Sequence, residues 1–256
     1  MKPTVSKHSS TKIASEQGTS QSDRATLSLR EMLVQGRFRL GERMREVPLA
    51  KELGVSRIPL RLALERLAHE GFVEMRPTRG FVARQFDIAD ICDAIDLRGT
   101  IEGMAARYAA ERNTRREELT TLRETHEQMA ALVRKTALTL ELVSEYITLN
   151  SRFHGEVMRL SQSRQLQRAL DQICCLPFAS PNAFLRRQYL APESRELFLM
   201  SVEHHRAIIE AITFREGARA EDLAREHARI ARRNLESALA NKGIGEVVPG
   251  LQLIKL

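Results

Sequence analysis

Apolar residues recur at helical spacing along most of this chain, and only one stretch alternates like paired strands. From Asp23 to Gln35, the residues Ala25, Leu29, Met32 and Leu33 share one helical face, and Gly36 offers a stop. Val47 to Leu53 reads as a second, short helix, with Pro48 acceptable in its first turn. Gly54 then allows a tight turn, and Ser56 is placed to cap a third helix by accepting a backbone N–H. In that helix Leu60, Leu64 and Leu67 form a buried stripe, while Arg57 and Arg61, four apart, share a different face. Phe72–Met75 and Pro77–Ala83 read as two short strands around a Pro/Gly turn that carries Arg76 and Arg79. Helices followed by such a β-wing predict a winged helix-turn-helix.

Beyond Phe86 only helical periods remain. Asp87–Glu111 is long and amphipathic, with Ile91, Ile95, Ile101 and Ala105 inward, and Arg115–Lys135 is more polar and predicted to be more exposed. Leu140–Leu160, Arg164–Leu176, Glu193–Phe214 and Ala220–Ala240 follow. The predicted fold is mainly α: an N-terminal winged helix-turn-helix over 23–85, with its small β-wing, and a C-terminal all-α bundle of six or seven helices over 86–241. Residues 1–22 hold nine Ser/Thr, three Lys and almost nothing apolar, so a disordered tail is expected there. Residues 242–256 form a C-terminal tail that can pack as a strap.

Charge sharpens this division. Residues 1–85 carry 16 Lys/Arg against 9 Asp/Glu, an excess of seven, whereas residues 86–256 carry 24 of each. The whole positive balance of +7 therefore sits in the N-terminal half, tail and helix-turn-helix together, which points to an anionic partner for that half alone. Three cysteines, at 92, 174 and 175, supply no disulfide framework and fit buried thiols in a reducing cytoplasm. No apolar run approaches the roughly 20 residues that span a bilayer.

Two constellations carry chemistry. Arg57 and Arg61 near a helix N-terminus suit phosphates and guanine edges, because a guanidinium forks onto both. Of seven histidines, His154, His205 and His227 lie within the apolar stripes of three separate helices, so their imidazoles can converge; Asn150, one turn before His154, can add an oxygen. Such nitrogen and oxygen ligands suit Zn²⁺ or a related divalent transition ion, although an inward histidine is also an ordinary hydrogen-bonded core residue.

The run GVSRIPLRLALERLAHEGFVEMRPTRGFVAR resembles the DNA-binding half of GntR-family bacterial transcription regulators. The resemblance implies that Ser56, Arg57 and Arg61 meet the major groove and that Thr78, Arg79 and Gly80 of the wing approach the minor groove. Leu40 and Leu62 depart from the usual Pro and Glu, at positions expected to lie off the reading face. NSRFHGEV, EHHRAIIEAI and AREHARIARRNL are similar to three signature segments of the FCD effector domain of the FadR subfamily. That similarity implies a helical effector-binding and dimerisation domain holding a Zn-like divalent metal through Asn150, His154, His205 and His227. His205 is matched rather than His204 because it directly precedes Arg-Ala-Ile. Asn150 stands where the family usually has Asp, which removes one charge of attraction and weakens metal binding. Arg98 and Glu102 match an Arg-x-x-x-Glu whose Arg can clamp an effector carboxylate; an i,i+4 structural ion pair is the other reading. The loop from Leu176 to Pro181 resembles vanillate-responsive members, which govern aromatic acid catabolism.

The resulting expectation is a non-enzymatic, cytoplasmic transcription regulator. It would act as a repressor that binds a palindromic double-stranded DNA operator as a homodimer and is released by a small carboxylate effector, with no membrane partner. A metal-dependent hydrolase and an effector-free architectural DNA-binding protein are the alternatives. Against the first, no carboxylate is evident beside the histidines to act as a general base.

Overall fold

A computed structural model describes residues 20–39, 41–84, 86–112, 114–135, 139–176, 179–182, 194–240 and 254–255. Most of the predicted tails, Leu40, and Pro177 and Phe178 of the predicted loop lie outside the described residues. Among the described residues no helix is long and apolar enough to cross a membrane.

The N-terminal half builds its own core. Helix α1 (Gln21–Val34) starts at Ser20, whose Oγ accepts from the Asp23 N–H at 3.1 Å, and buries Ala25, Leu29 and Leu33. Helix α2 (Glu46–Leu53) ends at Gly54, whose φ of +62° is the left-handed turn that favours glycine. Helix α3 (Arg57–His69) buries Leu60, Ala63, Leu64 and Leu67. Ser56 occupies its N-cap position, but its side chain makes no capping hydrogen bond, contrary to the sequence reading. The first turn is closed instead by the Leu60 N–H and the Ser56 carbonyl at 3.3 Å, and the exposed helix start can turn its N–H groups to solvent or to an anion.

The wing is shorter than its sequence suggests. Strands β1 (Val73–Arg76) and β2 (Gly80–Ala83) pair antiparallel from Val73↔Ala83 to Arg76↔Gly80. Pro77, Thr78 and Arg79 form the turn rather than part of a strand, since Pro lacks the N–H a ladder needs, and Gly80 closes the turn at φ +68°. Arg43 bridges Val82, adding the stretch before α2 to the other edge of β2.

Among the described residues, the C-terminal half is helical apart from one short pairing that the helical periods do not predict. Strand β3 (Phe86–Asp87) runs parallel to β4 (Ile254–Lys255), so the C-terminal end lies against the junction of the two halves. Helix α4 (Ile88–Glu111) begins at Asp87, whose carboxylate accepts from the Asp90 N–H at 3.0 Å. A 3-10 turn (Arg116–Leu119) leads into α5 (Thr120–Arg134), which is less exposed than its polarity suggested: Leu122, Thr125, Met129, Leu132 and Val133 are buried. Helices α6 (Leu140–Leu160), α7 (Arg164–Cys174), α8 (Ser194–Thr213) and α9 (Gly217–Ala240) complete the bundle. Helix α9 starts three residues before the predicted Ala220 because Gly217, Ala218 and Arg219 already continue the turn. The thiols are less sequestered than expected: Cys175 is exposed and Cys92 and Cys174 are half-buried, although burial pushes the Cys174 thiol up to about 11.

Helix α4 packs closely along α9 because it presents two glycines. A Cβ on Gly99 would lie 2.8 Å from the Ala228 Cβ, and one on Gly103 would lie 3.0 Å from the Glu221 carbonyl. Gly99→Val is therefore expected to destabilise the bundle by ~1–3 kcal/mol through overpacking. Denaturant unfolding measures this, and unchanged stability would show that the helices are not in the contact described.

Candidate functional site

Three helices deliver the histidines to one point. His154 on α6, His205 on α8 and His227 on α9 place one ligand nitrogen each within 4.8 Å of the others. The His205 and His227 Nε2 atoms are 3.1 Å apart, and His227 and His154 Nε2 are 3.3 Å apart. Two nitrogens bound at ~2.1 Å to one tetrahedral or octahedral ion lie ~3.0–3.4 Å apart, so these spacings fit a shared cation. Burial first, and then the neighbouring imidazoles, push His205 and His227 well below the ordinary imidazole range, which keeps their lone pairs unprotonated. Phe153 stacks on the His205 ring with centroids 4.0 Å apart, fixing its plane. His204, by contrast, is only half-buried and is not one of the converging group.

Asn150 joins the same neighbourhood from α6. It is buried, lines a small cavity with Arg98 and His227, and its Oδ1 has no hydrogen-bond partner among the described residues. The Arg98 Nε, the Asn234 Oδ1 and the His227 Nδ1 are likewise buried and without a hydrogen-bond partner among the described residues, and all three residues line that cavity. Its ≈ 20 Å³ is room for about one water molecule. Asn234 is missing from the sequence reading, although its place seven residues after His227 put it on the same helix face.

Arg98 and Glu102 form the predicted i,i+4 pair, with Nε and Oε2 3.9 Å apart and both side chains buried. The Arg98 guanidinium also donates to the Ala228 carbonyl at 3.4 Å. Glu102 does more than the spacing implied, because its Oε1 lies 3.3 Å from the Nδ1 of His154. Burial raises the cost of its charge, but His154 and then Arg98 outweigh burial and hold the carboxyl at about 2. A carboxylate is therefore present beside the histidines, correcting the argument used against a hydrolase. It touches the Nδ1 side of His154, away from the converging Nε2 atoms, where a carboxylate orients an imidazole rather than activates a water. No spacing rule links residue 102 to residue 154, so only the fold reveals this contact.

In the N-terminal half, a groove of ≈ 470 Å³ is lined by Arg43, Arg45, Arg57, Arg79 and Gly80, among others. It brings the start of α3 and the wing turn together. Ser56, Arg57, Arg61, Thr78 and Arg79 are all exposed, and Arg61 makes an exposed pair with Glu65 at 3.2 Å, which is weak and easily exchanged for phosphate. Arg43 and Arg45 are additions that helical periodicity could not place, since they precede α2 and reach the groove through the bridge to β2. Leu62, expected off the reading face, is 53% exposed beside Arg61, and Ile58 is 75% exposed one turn earlier. Apolar side chains there suit thymine methyl groups.

The fold and these two sites define a class: a winged-helix DNA-binding module joined to a helical domain with a buried polar and histidine-rich centre. Residues 21–82 match the model of the "Bacterial regulatory proteins, gntR family", and residues 93–229, more than half of the chain, match that of the "FCD domain". The chain belongs to the gntR family of bacterial transcription regulators, in the group that carries an FCD domain. It is 36% identical over 142 residues to the Nta operon transcriptional regulator of Aminobacter aminovorans, covering 56% of this chain and 64% of that protein. It is 26% identical over 159 residues to the HTH-type transcriptional repressor RspR of Escherichia coli strain K12, covering 59% of this chain and 67% of that one. The aligned stretch thus spans less than two thirds of the Nta regulator. Among solved structures, E. coli McbR/YncC shares the fold with a TM-score of 0.57 at 21% identity, covering 87% of this chain and 99% of that one.

Removing Glu102 leaves a buried guanidinium unpaired. Glu102→Ala is expected to destabilise the protein by ~3–5 kcal/mol, and the double replacement Arg98→Met with Glu102→Leu by much less. Chemical denaturation of both variants tests this; equal losses would show that the pair is not a coupled unit.

Proposed function

We propose that this protein is a ligand-responsive repressor that binds a palindromic operator as a homodimer and releases it when a small carboxylate enters the helical domain. The observation that carries the reading is the convergence of three imidazole Nε2 atoms beside a cavity into which Arg98 also opens, in a chain whose other half is a winged-helix DNA reader. Ser56, Arg57 and Arg61 read the major groove, and Thr78, Arg79 and Gly80 track the minor groove beside them. One winged helix reads only a half-site, and a dimer on a two-fold operator supplies the specificity that a genome demands.

His154, His205 and His227, with the Asn150 oxygen, would hold a divalent, Zn-like metal. When bound, it would supply a positive Lewis-acidic point for the carboxylate of an effector. Arg98 offers that carboxylate a two-pronged partner, Glu102 fixes both Arg98 and His154, and the Asn234 oxygen offers an acceptor to a hydroxyl on the ligand. An aromatic acid is the effector class suggested by the likeness of the Leu176 to Pro181 stretch to vanillate-responsive regulators. The cavity holds about one water, so any such acid must spread the helices around it. That requirement gives the two states different affinities for the ligand, which is what coupling to DNA needs. A regulator of this kind works in the cytoplasm, with the chromosome.

Fluorescence anisotropy with DNA from upstream of the gene and its neighbours tests the reading. Arg57→Ala is expected to weaken operator binding about 5- to 150-fold. Arg43→Ala and Arg45→Ala should instead each reduce the salt slope of binding by about one. Titration with aromatic and aliphatic acids should release the DNA, and release should fail in Arg98→Met. A protein that binds its operator tightly and is released by none of these acids is not the repressor proposed.

A further inference from the structure

We propose that Asn182, from the segment between α7 and α8, is a positioning residue that fixes which end of the Asn150 amide is offered to the metal centre. The inference rests on the reading of that centre given above.

An asparagine can turn its amide end for end with almost no change of shape, yet only its oxygen can serve a cation; its NH2 would repel one. A carboxylate at position 150 would present two equivalent oxygens and need no such control. The amide creates an orientation requirement, and a chain of hydrogen bonds in this structure meets it. The Ser151 hydroxyl donates to the Ile147 carbonyl at 3.0 Å, which commits its only proton. Its Oγ lone pair then accepts the Asn182 Nδ2–H at 2.6 Å. That leaves the Asn182 Oδ1 facing Asn150, where it accepts the Asn150 Nδ2–H at 2.9 Å. Asn182 is itself held by its backbone N–H donating to the Ser180 Oγ at 3.2 Å.

Each link has a fixed donor and a fixed acceptor, so the sense of the whole chain is set. The Asn150 NH2 is occupied outside the centre, and its buried Oδ1 is the end without a partner, in the cavity shared with His227. Turning the Asn150 amide over would bring two carbonyl oxygens together, unless Asn182 also turned and the Ser151 hydroxyl left the Ile147 carbonyl. Position 182 thereby determines the chemistry of position 150.

The test is Zn²⁺ affinity of the full chain, stripped with chelator and titrated against a chromophoric competitor, in a cycle of Asn182→Ala and Asn150→Asp. Asn182→Ala is expected to lower zinc affinity about 10- to 100-fold when residue 150 is Asn, the usual effect of losing a partner behind a ligand. With Asn150→Asp in place, the same replacement should change affinity by less than about 2-fold, because a carboxylate needs no orientation. Equal zinc affinity of wild type and Asn182→Ala overturns the proposal. So does an equal loss in both backgrounds, which would mark Asn182 as merely structural. A wild-type chain that takes up no zinc overturns the metal centre itself and this inference with it, whereas the first two results leave the metal centre standing.

Discussion

The close approach of α4 and α9 positions Arg98, Glu102 and His227, three of the groups that carry chemistry in the helical half. Gly99 and Gly103 let α9 come so near that a methyl group at Gly99 would collide with the Ala228 side chain, and one at Gly103 would crowd the Arg225 side chain and the Glu221 carbonyl. Through that contact Arg98 reaches the Ala228 carbonyl, and Glu102 lies where it can meet His154. His227, beside Ala228, is thereby held against His154 and His205. Two small residues on α4 thus bring the helix that carries His227 up to the carboxylate that meets His154.

That centre is a buried polar network in a bundle otherwise filled by apolar side chains. Isolated, its charges would be costly to bury, and they persist because Arg98 and Glu102 compensate one another, with the His154 Nδ1 beside the carboxylate. The network is nevertheless incompletely paired, with the Arg98 Nε, the Asn150 Oδ1 and the Asn234 Oδ1 each lacking a hydrogen-bond partner among the described residues. These atoms face a small cavity with room for about one water.

The two halves meet where the helix-turn-helix ends. Gly71 follows α3 at φ +80°, and a Cβ there would lie 2.6 Å from the Leu176 side chain at the end of α7. Glu70, just before it, is buried and paired with Arg30 and Arg66. The residues that follow α3 therefore rest directly on the helical half, a few residues along the chain from Ser180 and Asn182.

The winged helix was legible in the sequence because its determinants are local: an apolar stripe every third or fourth residue, a glycine turn at Gly54, and two short runs around Pro77. The histidines were legible as three inward positions on three helices, since periodicity tells inside from outside. Periodicity does not tell which inside positions meet. That Glu102 faces His154, that Asn182 orients Asn150, and that Arg43 joins Arg57 and Arg79 in one groove are contacts between residues far apart in the chain or on different elements, with no spacing rule to connect them. The sequence by itself determined the elements and the faces they bury; only the tertiary structure decided which side chains converge, because packing between helices, set here by the glycines of α4, chooses the pairs that touch.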